Sequence, residues 1–143
     1  CSVRRQRQMC IRDRNNTDPN FDINDPCYYG EQSKQDIMDN LTSYANMVLL
    51  SSGEAHPFVC LEAMASGLGL VLSEQSTANL DVGLPFINVI PDTKLNDTDF
   101  LRDQIVSNRK TSLTMRKEIR QYCKDNFDWC AIIQKYKEII NKL

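Results

Sequence analysis

Glu54 and Glu62 stand eight positions apart in SSGEAHPFVCLEAMASGLGLVLS, the run from Ser51 to Ser73, with Pro57 between them and Gly67 beyond. Carboxylates are acceptors, so two of them at the mouth of a crevice suit the hydroxyls of a sugar or ribose and repel a bare anion. A phosphate needs donors instead, and a helix start supplies them. If Pro57 is the first helical residue, it gives up only a donor that lacks an intrahelical partner. The N–H groups of Phe58 and Val59 then remain, and the helix dipole favours negative charge. The candidate site is therefore Glu54, His56, Pro57, Phe58, Val59 and Glu62. Simpler roles stand beside these: Glu54 as a loop carboxylate capping a helix, Glu62 as a solvated helix residue, and His56, the single histidine, as a surface cap.

Such a site requires a strand, a loop and a helix in that order. MVLLS, Met47 to Ser51, is a continuous apolar run of strand length, the pattern of a parallel strand covered on both faces. PFVCLEAMASG then reads as a helix with Pro57 at its first position, Gly67 just past its end, and Val59, Leu61, Met64 and Ala65 as its apolar face. LGLVLS, Leu68 to Ser73, and FINVI, Phe86 to Ile90, are two further buried strands, the second following a loop and a short turn of helix. Upstream, residues 15–26 are rich in turn formers and CYYG reads as a short strand. Ser33 caps a helix whose Asp36 completes a box-like pattern, with Ile37, Met38, Leu41, Tyr44 and Ala45 as its stripe.

From Asp97 the pattern is helical: DTDFLRDQIVSNRK, then SLTMRKEIRQYCKDNF, then DWCAIIQKYKEIINK from an Asp128 cap. The stripe Trp129, Ile132, Ile133, Tyr136 and Ile140 suits a core or a domain-docking surface. Strands alternating with helices, then helices alone, predict an α/β fold with a parallel sheet. Ligands of such sheets collect outside the carboxyl ends of the strands, where the Glu54 loop falls.

Composition narrows the function classes. With 143 residues, 41% of them apolar, the chain has enough for one core. A formal net charge of -2 advertises neither nucleic acid nor an anionic membrane as partner. Residues 1–14 hold five arginines and one aspartate, a local +4 that leaves -6 on the other 129 residues. This leader lacks the apolar periodicity and aromatics of a nucleic-acid arm, and QRQMCIRDR resembles translated sequencing adapter. It is read as disordered or non-native, with the natural protein continuing upstream. Six cysteines form no CxxC pair and no His/Cys cluster, so no metal or other cofactor is expected, and Cys27 and Cys60 read as buried reduced thiols. No secretory segment appears and no run approaches the ~20 apolar residues of a membrane span, so a cytoplasmic location is expected. The sequons at Asn15, Asn40 and Asn96 then carry no weight.

Glu54, seven residues, Glu62, then AMASG and LGLVLS resemble the E-x7-E signature of retaining glycosyltransferases with the GT-B fold, of the group 1 or family 4-like kind. The likeness runs from about Tyr29 to Pro91, and SYANMVLLSSGE looks like that family's approach to its first glutamate. NFDWCAIIQKY is similar to the family's closing aromatic–tryptophan segment, whose helix crosses back to the amino-terminal domain. Roughly two thirds of the chain is covered.

The resemblance implies a Rossmann-like sheet, the carboxyl-terminal half of a GT-B fold with a helical tail. It divides the chain into a leader (1–20), a nucleotide-sugar-binding domain (21–127) and a docking helix (128–143). It also implies a nucleotide diphosphate sugar as donor, an acceptor of unknown identity, an amino-terminal domain upstream and no metal. Glu54 would contact the donor sugar near its reacting carbon and Glu62 the nucleotide ribose, with backbone N–H groups near His56, Phe58 and Val59 approaching sugar and phosphate. Two features depart from the family. AHPF replaces its glycine–aromatic–glycine turn, and its basic arginine–lysine phosphate pair has no match in a plausible place. A fragment of this kind is expected to be inactive alone. The alternatives are a non-catalytic nucleotide-sugar-binding or interaction module of the same fold, and a GT-B epimerase whose acid and base lie upstream.

Overall fold

The computed structural model describes residues 32–54 and 57–141. The predicted loop over 15–26, the CYYG strand, Cys27 and the leader lie outside them. Three parallel strands, β1 (Asn46–Leu49), β2 (Gly69–Ser73) and β3 (Ile87–Ile90), form a sheet in that spatial order. The register sets Met47 beside Leu70, Leu49 beside Leu72, Leu70 beside Ile87 and Leu72 beside Val89. Because strand side chains alternate, those six residues share one face, and Asn46, Val48, Gly69, Val71, Ser73, Asn88 and Ile90 share the other.

Helices cover both faces, which is why MVLL and LGLVLS are continuous apolar runs. The first face packs into a core with Cys60, Ala63 and Met64 of α2 (Phe58–Ala65) and Ile119 and Cys123 of α4 (Arg116–Phe127). The second lies under α3 (Thr98–Thr114), held by polar contacts. Asn108 Nδ2 lies 3.0 Å from each of three acceptors, the Leu70 and Phe86 carbonyls and Asn88 Oδ1, and Asn46 Nδ2 donates to the Ile105 carbonyl at 2.9 Å. A side chain at Gly69 would overlap Ser112 Oγ and put its Cβ 2.8 Å from Asn108 Oδ1. So close an approach of helix to strand admits only glycine there.

Local signals explain most element ends. Ser33 Oγ accepts from Asp36 N at 3.1 Å and donates to the Asp36 carboxylate, starting α1 (Lys34–Leu41) as predicted. This helix stops at Leu41, so Tyr44 and Ala45 are not part of its stripe, and none of its residues is buried. Beyond the stop, the Arg116 guanidinium donates to the Thr42 carbonyl at 3.0 Å and the Tyr44 carbonyl at 2.7 Å, fixing the chain on its way into β1. Helix α2 ends in a Schellman motif, Leu68 N to Ala63 O and Gly67 N to Met64 O, with Gly67 at φ 78° as the terminator that the sequence predicts. Helix α3 runs past the predicted break after Lys110 to Thr114, with the Thr111, Ser112 and Thr114 hydroxyls donating to carbonyls of their own helix.

Asp128 caps α5 (Trp129–Ile140), accepting from Cys130 N at 2.8 Å. This helix packs on α4. Trp129 is 77% exposed, and Ile133, Tyr136 and Ile140 are also exposed, so the stripe is not core within the described residues. No helix among the described residues is long and apolar enough to cross a membrane.

Candidate functional site

Strand β1 ends at Leu49 and the chain leaves the carboxyl edge of the sheet through Ser51, Ser52 and Gly53 to Glu54. Glu54 is half-buried and its amide donates to the Gln75 carbonyl at 3.2 Å. Gln75 lies in a single 3-10 turn, Glu74–Ser76, that follows β2 directly. The loop after one strand is thereby tied to the turn after its neighbour. His56 and Ala55 lie outside the described residues.

Pro57 occupies the N-cap of α2 and not its first helical position, with ψ 89°. Its non-helical backbone turns the chain into the helix and its carbonyl accepts from Cys60 N at 2.9 Å. A proline at this boundary forgoes an N–H that the helix does not use. Phe58 is the first helical residue and is 69% exposed, while Val59 is half-buried against the core. The predicted apolar face is also corrected. Cys60, Ala63 and Met64 are the buried residues of α2, Val59 and Leu61 are half-buried, and Ala65 is exposed.

Glu62 is half-buried one turn after Phe58, on the same side of the helix, where residues four apart stack. Helical side chains lean toward the amino end, so this carboxylate leans toward the edge that carries Glu54. The Cys60 thiol reports on Glu54 itself. Burial is the larger reason that its pKa is pushed up to about 12, and the Glu54 carboxylate is the second. Glu54, Pro57, Phe58 and Val59 thus fall where the chain passes from the carboxyl end of β1 into α2, and Glu62 follows in the middle of that eight-residue helix.

Other charges divide between the two edges. At the carboxyl edge, Glu74 accepts from Asp92 N at 3.3 Å and Gln75 Nε2 donates to the Asp92 carboxylate at 3.2 Å. Lys94 there is engaged with Asp97 at 2.9 Å. Arg116 and Arg120 serve the opposite edge, Arg120 donating to the Ser66 carbonyl at the end of α2 at 3.2 Å. Among the described residues no group of three or more His, Cys, Asp or Glu side chains could hold a metal ion.

Two residues of this end carry no signal in the sequence. Ser73 and Ser76 are fully buried, and Ser73 donates to the Ser51 carbonyl at 2.6 Å. A serine closing an apolar strand reads only as a strand end. In comparisons with known proteins, no family model, no curated protein and no solved structure matches this chain.

Proposed function

We propose that this chain is the donor-binding part of a GT-B glycosyltransferase, a Rossmann-like unit that takes a nucleotide diphosphate sugar for retaining transfer to a glycosyl acceptor, metal-independent and cytoplasmic. One observation supports it above the rest. The chain leaves the carboxyl end of β1 through Glu54 and enters α2 at Phe58, with Glu62 one turn further along that helix. An E-x7-E spacing on a strand, loop and helix gathers two acceptors beside a helix start, which suits a sugar and a ribose joined by a diphosphate. Glu54 would orient the donor sugar and offset the positive charge that develops on its reacting carbon, and Glu62 would hold the ribose. The diphosphate would meet the amino end of α2.

The charge of the carboxyl edge favours a second reading, a non-catalytic nucleotide-sugar-binding or interaction module. Glu74 and Asp92 add negative charge there, and Lys94 is committed to Asp97. A leaving diphosphate needs cations, which a transferase would have to supply from outside the described residues.

Calorimetry with UDP-, GDP- and ADP-glucose tests the binding that both readings share. Glu62→Ala is expected to weaken binding of the bare nucleotide roughly tenfold, the worth of a hydrogen bond to a charged group. Unchanged affinity overturns the ribose role. In a protein that carries the chain with the residues expected upstream, Glu54→Gln is expected to slow transfer by about 10²–10³ while affinity falls less than tenfold. Wild-type transfer by that variant removes the catalytic role, and absence of transfer by the parent protein supports the module.

A further inference from the structure

We infer that Ser73, paired with Ser76, is a positioning residue for Glu54, an inference that rests on the proposed donor-site role of that glutamate. Ser73 ends β2, Ser76 ends the 3-10 turn that follows, and both are fully buried. Ser73 Oγ donates to the Ser51 carbonyl at 2.6 Å and lies 2.9 Å from Ser76 Oγ. With its one hydrogen given to Ser51, Ser73 accepts from Ser76. Three residues beyond Ser51, the Glu54 amide donates to the Gln75 carbonyl.

The segment Ser51–Glu54 is thus pinned at one end to the last residue of β2 and at the other to the turn that follows it. Between the pins, a Cβ added at Gly53 would meet nothing within 4 Å, so the loop is open on that side. Alanine or valine would fill the end of β2 without burying a hydroxyl. The two hydroxyls therefore meet a requirement of the loop. Loosening it by an ångström would misplace the Glu54 carboxylate relative to a bound sugar, where catalysis is sensitive to such distances.

Amide hydrogen exchange on the 143-residue chain reads this position without a ligand. In Ser73→Ala the Glu54 amide is expected to exchange roughly tenfold faster, while the Val48 and Leu72 amides keep their protection. The Cys60 thiol is expected to titrate lower than in the parent, because the Glu54 carboxylate moves away from it. Ser76→Ala keeps the bond to Ser51 and is expected to give a smaller change in the same direction; it carries the comparison should Ser73→Ala not fold. Unchanged Glu54 exchange in these variants, or acceleration spread evenly over β1 and β2, overturns the positioning role. The donor-site role fails separately. Wild-type transfer by Glu54→Gln, in a protein that carries the chain with the residues expected upstream, would sink that role and leave the exchange pattern as found.

Discussion

Cys60 holds a thiol without solvent contact, and its environment makes the fold sensitive to alkali. The unfolded chain ionises this group near 9.0, whereas burial, and after it the Glu54 carboxylate, hold it neutral in the fold up to about 12. A folded value above the unfolded one means that the stability is fully present below pH 9 and is lost as pH rises toward 12. Relative to Cys60→Ala, the parent chain should lose about 1.4 kcal/mol per pH unit in that window and nothing below it. Urea unfolding of both proteins from neutral pH to about pH 11 checks this, and a constant difference between them would refute it. The Cys123 thiol, raised by burial and then by Asp128, is common to both and cancels. At this scale the sequence disclosed residues by their chemistry. Glu54 and Glu62 were noticeable because an apolar strand, Pro57 and a small-residue helix surround them. Ser73 and Ser76 were not, because a hydroxyl matters here only through the carbonyl that it meets, and that carbonyl is 22 residues away.

Asn108 fastens helix α3 to the sheet. Asn108 presents its amide group to the carbonyls of two strands and to Asn88, whose own amide donates to Gln104 at 2.8 Å. Asn108→Asp puts a carboxylate before three acceptors, and Asn108→Leu leaves buried carbonyls without a donor. Each variant is expected to cost roughly 3 kcal/mol, with Asp the worse, measured as a fall in the urea midpoint. An Asp variant as stable as the parent would show that the clasp is incidental. Elements were readable where their ends carry local chemistry, as at Ser33, Gly67 and Asp128. Long-range contacts hid the others. Arg116 holds the Thr42 carbonyl just past α1 from 74 residues away.

Across the molecule, alternating strand and helix patterns foretold the parallel sheet with helices on both faces. The charge layout was invisible in the sequence, because it arises only when strands separated by tens of residues are brought side by side. Carboxylates collect at one edge and the guanidinium groups of Arg116 and Arg120 at the other, where they meet the carboxyl ends of helices. A carboxyl edge of that sign disfavours bare nucleotide and favours a ligand with neutral hydroxyls. Added salt should therefore strengthen binding of a nucleotide diphosphate to this chain by screening Glu54, Glu74 and Asp92. Titrations at low and high ionic strength check it, and weaker binding at high salt would point to cations at the site.

Trp129 is the chain's single tryptophan and lies on the open side of α5. Its fluorescence is therefore expected to show the red-shifted emission of an indole in water, and denaturant to change the colour little. The same property makes it a built-in reporter: a blue shift on mixing with another molecule would announce that something has covered this helix.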